Sequence, residues 1–206
     1  MKSCIELNKS VQNYLFPKSG SEKVITAVSI YENILSQLKD IKGFVIEDGI
    51  DNISFKIEVE NNLKLLLNSI TIKPVEKTNF DLTINHPLDI KLPIKVQSNF
   101  RDKVFNVESF PLKLKFTKGN GEIDLSIKTD ETGVASPKIY KLFDRENIIE
   151  VTPDIDELVK ISEWFKNMEN IKLYYYVTGK LLREMKKVYV DITSTSQDTD
   201  SVLVNT

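Results

Sequence analysis

From Ile70 to Thr152 the apolar residues fall at every second position, in short runs separated by turn residues. No other feature constrains the chain as much. A period of two turns one face of an extended strand inward and the other outward. "SITIKPV" and "FDLTI" are the first two runs. "DIKLPIKVQ" puts Ile90, Leu92, Ile94 and Val96 on one face and Lys91 and Lys95 on the other. Pro93 has no N–H for a ladder, so this strand is expected at an edge or with a bulge. "FPLKLKFTK" points Phe110, Leu112, Leu114 and Phe116 inward and lysines outward, and "GNG" at 119–121 supplies a tight turn. "EIDLSIK", "VASPKIYKL" and "NIIEVT" add three more strands. Half-buried strands spaced by roughly 8–12 residues argue for a sandwich of antiparallel sheets.

The stretch "TDETG" at 129–133 interrupts one alternation and another starts at once. Asp130 can accept from N–H groups further along a turn, and Gly133 supplies a positive φ without a Cβ clash. The stretch therefore reads as a hairpin turn whose flanking strands pair antiparallel. Val134 and Ala135 open the returning strand.

Helical periods flank the strands. In "SGSE", Ser19 precedes Glu22 at capping-box spacing. Val24, Val28, Tyr31, Leu35 and Leu38 form one apolar stripe, and Gly43 ends it. The stripe is expected to pack within its own chain. "FVIEDGIDNISFKIEVE" reads as a hairpin around an Asp-Gly turn, with Ile53, Phe55, Ile57 and Val59 on one face of its second strand. Leu63, Leu66, Leu67 and Ile70 give a short second helix that must end before Pro74. "TPDIDELVKISEWFKNM" returns to the helical period over about 154–169, with Asp154 and Glu157 at cap spacing. "IKLYYYVTG" and "KKVYVDIT" are two closing strands. The predicted organisation is α+β. A helix-and-hairpin subdomain spans 1–68, a sandwich with an inserted helix spans 69–195, and a polar tail spans 196–206.

No catalytic constellation is visible. His86 is the only histidine and sits in the loop "NHPL", and Cys4 is the only cysteine, so no intrachain disulfide forms. Neither supports a zinc site or a nucleophilic pair. No phosphate-binding glycine loop and no serine elbow occur. The carboxylates Asp130/Glu131 belong to the turn, and Asp154, Asp156 and Glu157 suit a helix N-terminus. No metal and no cofactor are expected. A net charge of −2 gives no strong field for nucleic acid. No apolar run reaches the roughly 18 residues that would span a bilayer. The aromatic candidates for ligand binding are Trp164, Tyr174, Tyr175 and Tyr176. In a strand, Tyr174 and Tyr176 share one face and Tyr175 takes the other.

The run "FPLKLKFTKGNGEIDLSIKTDETGVAS" resembles bacterial immunoglobulin-like domains of the invasin/intimin type. The matching positions are Phe116, Gly119, Gly121, Glu122, Thr129, Asp130, Gly133 and Ala135, and the resemblance gives them structural roles. Together with the preceding "NLKLLLNS" and "ITIKP", the order of segments is similar to the C-terminal half of LPP-type outer-membrane lipoproteins. The resemblance implies an immunoglobulin-like sandwich and a non-enzymatic, structural or protein-binding module of the bacterial cell envelope. Its partner would be another envelope protein. An export signal upstream would place the chain in the periplasm or at the outer-membrane surface; without one it stays in the cytoplasm. The alternative reading is a small-ligand or carbohydrate-binding sandwich that uses the exposed aromatics.

Overall fold

The computed structural model describes residues 24–39 and 52–182. Cys4, the Ser19 cap, Gly43, the Asp-Gly turn, the strand expected in "KKVYVDIT" and the tail at 196–206 lie outside the described residues.

Among the described residues two helices come first, α1 (Val24–Lys39) and α2 (Asn52–Asn68). The apolar stripe of α1 packs within its own chain, as expected: Val24, Val28, Tyr31 and Leu35 are buried, and α1 lies against α2. The hairpin expected at 44–59 is a correction, because its second strand is the first half of α2. Ile57, inward in the strand reading, is 52% exposed. The buried set is Val59, Asn62, Leu63, Leu66 and Leu67, a helical spacing that runs unbroken through the segment. A lone two-stranded hairpin is marginal in water, whereas this stretch carries four leucines and lacks Gly and Pro. Lys56 and Glu60 pair one turn apart at 3.8 Å. Helix α2 docks on the strands through Arg101, whose Nη2 donates to Asn62 Oδ1 at 2.7 Å. Burial at this junction pushes the Tyr31 hydroxyl up to about 12.

The strands follow as β1 (Ile70–Pro74), β2 (Asn79–Thr83), β3 (Ile90–Lys91), β4 (Ile94–Phe100), β5 (Lys103–Asn106) and β6 (Pro111–Lys118). Then come β7 (Gly121–Ile123), β8 (Ser126–Lys128), β9 (Val134–Ala135), β10 (Lys138–Leu142), β11 (Glu146–Pro153) and β12 (Leu173–Lys180). They form three sheets. One runs β1-β4-β5 with β9 also on β4, one runs β3-β10-β7, and a five-stranded sheet runs β2-β12-β11-β6-β8. The described residues are therefore mostly β with few helices. Inward side chains of all three sheets and of both helices belong to one core, consistent with a β-sandwich. Phe110, Leu112, Ile139, Ile149 and Tyr175 are fully buried within it. Burial of each such side chain contributes about 1.5–3 kcal/mol.

Several expected strands are broken, and for a common reason: the chain changes sheet inside them. At Pro93 it passes from β3, paired with β10, to β4, paired with β1. Pro93 thus marks a switch between sheets, and the strand before it ends rather than bulging. "EIDLSIK" divides into β7 on β10 and β8 on β6, with Leu125 between them 68% exposed. "VASPKIYKL" divides at Pro137 into β9 on β4 and β10 on β3. The glycine turn at 119–121 joins β6 to β7, which lie in different sheets.

TDETG follows the same rule. It is a turn, but the strands on either side do not pair with each other: β8 pairs with β6 and β9 with β4. Asp130 Oδ1 accepts from Thr132 N at 2.8 Å and from Val134 N at 3.0 Å. These bonds hold its carboxyl below the usual carboxylate range, with the Thr132 hydroxyl the largest contributor. Gly133 has φ +75°, and a Cβ there would stand 2.7 Å from the Val96 carbonyl. Thr129 is buried, donating to Val107 O at 2.5 Å and accepting from Phe110 N at 2.9 Å. Ala135 is buried opposite Ile94.

Two further corrections concern the five-stranded sheet and the helix after β11. The five-stranded sheet is not wholly antiparallel, because β2 lies parallel to β12. The inserted helix is two short pieces, α3 (Ile155–Val159) and a 3₁₀ turn (Glu163–Asn167). Asp154 caps the first, accepting from Glu157 N at 3.2 Å. Ser162 is extended, so it breaks the helix, and its Oγ then accepts from Trp164 N at 3.3 Å. A side chain that caps a new start stops the preceding run.

Candidate functional site

The outward face of the five-stranded sheet carries the chemistry. Parity decides its membership. Along β12, Leu173, Tyr175 and Val177 are buried, which leaves Tyr174, Tyr176 and Thr178 outside. Along β11, Ile149 and Val151 face in, while Ile148 and Thr152 face out. Along β6, Leu112 and Leu114 face in and Lys113 and Lys115 face out. The register then places Glu150 of β11 beside Tyr174 on one neighbour and Lys115 on the other.

Glu150 is the centre of this face. Its Oε1 lies 3.0 Å from Lys115 Nζ. Its Oε2 lies 3.0 Å from Lys172 Nζ and accepts from the Tyr174 hydroxyl at 2.9 Å. The carboxylate is 5% exposed, and these three side chains provide the cover. Hydrogen bonds from Lys115 and then Lys172 pull its pKa down to about 2, outweighing the opposing effect of burial. The same contacts push Lys172 and Tyr174 up. Beside it, Lys113 reaches Asp154 at 3.0 Å and Asp156 at 2.6 Å, fixing the start of α3 to the sheet.

Two depressions open on this face. A groove of about 380 Å³ lies between Glu150 and the α3 segment, walled by Pro153, Ile155, Met168 and Ile171. A shallower one of about 260 Å³ surrounds Tyr176, with Lys118, Glu146, Asn147 and Ile148. Tyr176 is 49% exposed and stands opposite Ile148.

The four aromatic candidates are thus divided. Tyr174 and Tyr176 share the outward face. Tyr175 is a core residue and belongs to no binding surface; its hydroxyl donates to Pro93 O at 3.2 Å, and its ring meets Phe80 with centroids 6.1 Å apart. Trp164 lies half-buried against the core in the 3₁₀ turn and lines neither depression. His86 is exposed, next to Asn85 with its positive φ. Among the described residues no group of three or more His, Cys, Asp and Glu could hold a metal ion. No helix there is long and apolar enough to cross a membrane. Sequence reasoning missed Glu150, Lys115 and Lys172. The available signal was a lone acid at an outward position of "NIIEVT", within reach of the outward lysines of "FPLKLKF".

Comparison with protein-family models and with curated proteins returns no match. Among solved structures the chain is similar to WR4, a C. elegans MSP family member, at 13% identity and a TM-score of 0.31, over 55% of this chain and 99% of that one. It is similar also to the ASH / PapD-like domain of human CEP192, at 10% identity and a TM-score of 0.31, over 56% of this chain and 86% of that one.

Proposed function

We propose that this chain is an immunoglobulin-like, non-enzymatic module that binds another protein through the outward face of its five-stranded sheet. The observation that carries the reading is the state of Glu150. Its charge is neutralised inside the face by Lys115, Lys172 and Tyr174, which fixes a broad surface with Tyr176 standing free beside it. A general acid needs a carboxyl raised toward neutrality; this one is driven the opposite way and stays ionised. Small-molecule sites are concave and enclose their ligand, whereas both depressions here lie open on one sheet face. An exposed tyrosine beside satisfied charges is the kind of anchor that protein interfaces use. A carbohydrate or small-ligand site would have only Tyr174 and Tyr176 to work with. Placement at a bacterial cell envelope, with an envelope protein as partner, rests on the resemblance of 116–135 to invasin/intimin-type domains.

The test is a photo-cross-linking amino acid placed at Tyr176 and, as control, at Val104 on exposed β5. The proteins are expressed in cells of the source organism. A discrete adduct from position 176 that position 104 does not give supports the reading. The same adducts from both, or none from either, refute it.

A further inference from the structure

We infer that Asn120 is a self-modifying site: its side-chain amide is lost to attack by the backbone nitrogen of Gly121, leaving aspartate or isoaspartate in the turn between β6 and β7. Asn120 is the only asparagine in the chain followed by glycine. The geometry brings the reacting groups together. The Gly121 N–H donates to Asn120 Oδ1 at 2.8 Å, which sets the backbone nitrogen beside the side-chain carboxamide; attack on Cγ requires this hydrogen bond to open and the carboxamide to turn its face to the nitrogen. Asn120 is exposed, so water and hydroxide reach the site.

The glycine that permits this chemistry is required by packing. A Cβ at position 121 would run into the Lys141 carbonyl and press on Phe116 and Leu142. The fold therefore demands the one residue type that leaves the attacking nitrogen unhindered. Hydroxide removes the Gly121 amide proton. The nitrogen bonds to Asn120 Cγ, and the side-chain nitrogen leaves as ammonia after taking a proton from water. The product is a five-membered succinimide. Water then opens the ring at either carbonyl. The sum is asparagine plus water giving aspartate or isoaspartate plus ammonia, with no oxidant or reductant.

The position makes the product consequential. The Asn120 N–H donates to Asn147 Oδ1 at 3.2 Å, and its carbonyl accepts from Phe143 N at 3.0 Å. Isoaspartate inserts an extra main-chain carbon between those two clamps and adds a negative charge. Asn147 also lines the depression around Tyr176. Modification at 120 thus reaches the face described above through one hydrogen bond.

The experiment incubates the full chain in mildly alkaline buffer, folded and in denaturant, and follows it by peptide mapping with mass spectrometry. Isoaspartate is detected by methyl transfer from a purified isoaspartyl methyltransferase. Mapping separates Asn120 from the Asp48–Gly49 pair, whose rearrangement changes no mass. The expected result is conversion at Asn120 in the folded chain, rising in proportion to hydroxide, while the exposed Asn85 stays intact. Asn120→Ser removes the signal from that peptide. If the folded chain converts at Asn120 more than about tenfold slower than the denatured chain, the fold withholds the nitrogen rather than presenting it, and the inference is wrong.

Discussion

Glu150→Gln is the most direct probe of the sheet face, because it keeps the shape and removes the charge. In the folded chain the carboxyl is held at about 2, against an ordinary value of 4.5. A shift of that size converts to about 3 kcal/mol if all of it were differential stabilisation. The cover over Glu150, however, is two lysines and a tyrosine whose outer ends meet water, not a layer of apolar side chains. Solvent screening of such ion pairs leaves roughly 0.2–1 kcal/mol for each of the two lysines. The pKa is depressed on folding, so the contribution is present above the unfolded value of 4.5 and is lost as pH falls from there toward 2. Urea unfolding of wild type and Glu150→Gln at neutral pH should therefore differ by about 0.5–2 kcal/mol. The gap should narrow between pH 4.5 and 2 and close at the bottom of that window. A variant as stable as wild type at neutral pH would refute the reasoning. So would a deficit that persists undiminished in acid, since that would trace to packing and not to charge.

Gly133→Val should cost at least about 1–3 kcal/mol, because it forces a β-branched residue to positive φ against the Val96 carbonyl. His86→Ala, in an exposed loop, should cost less than about 0.5 kcal/mol by the same urea titration. Equal midpoint shifts for the two would count against the role of the 129–133 turn. Leu35→Ala, at the buried seam between the helices, should cost about 2–5 kcal/mol; a Leu35→Asp chain that stays fully folded by circular dichroism would show that the seam is dispensable. Tyr175→Phe leaves the Pro93 carbonyl without its hydroxyl partner and should cost about 1 kcal/mol, read as a lowered thermal midpoint.

Parity along the strands was legible in the sequence, and parity alone separates Tyr175 from Tyr174 and Tyr176. What a period of two cannot carry is the identity of the neighbouring strand. Ile123 and Ile127 have the same pattern, yet one belongs to β7 on β10 and the other to β8 on β6. The Glu150–Lys115 pair was hidden for this reason: each residue reads as outward, and only the register sets them side by side. Helix α2 misled through a coincidence of composition. Ile53, Phe55, Ile57 and Val59 alternate within a segment whose remaining apolar residues keep a helical period. Asp154 was readable as a cap because capping is local. Ser162 was passed over because an apolar stripe continues across it.

The parallel strand has a consequence for the order in which the chain can be assembled as it leaves the ribosome. β12 lies between β2 and β11, although β2 is made roughly ninety residues earlier. Until residues 173–180 emerge, β2 has no partner in its sheet among the described residues and β11 lacks its β12 neighbour. Early and late segments are therefore tied together by their most distant pairing, exemplified by Asp81 with Lys180. Such closure is slow and leaves sticky strand edges uncovered in the meantime. A nascent chain stalled before Leu173 would hold two incomplete β surfaces. Strand edges left open at this stage are the kind of surface that chaperones cover.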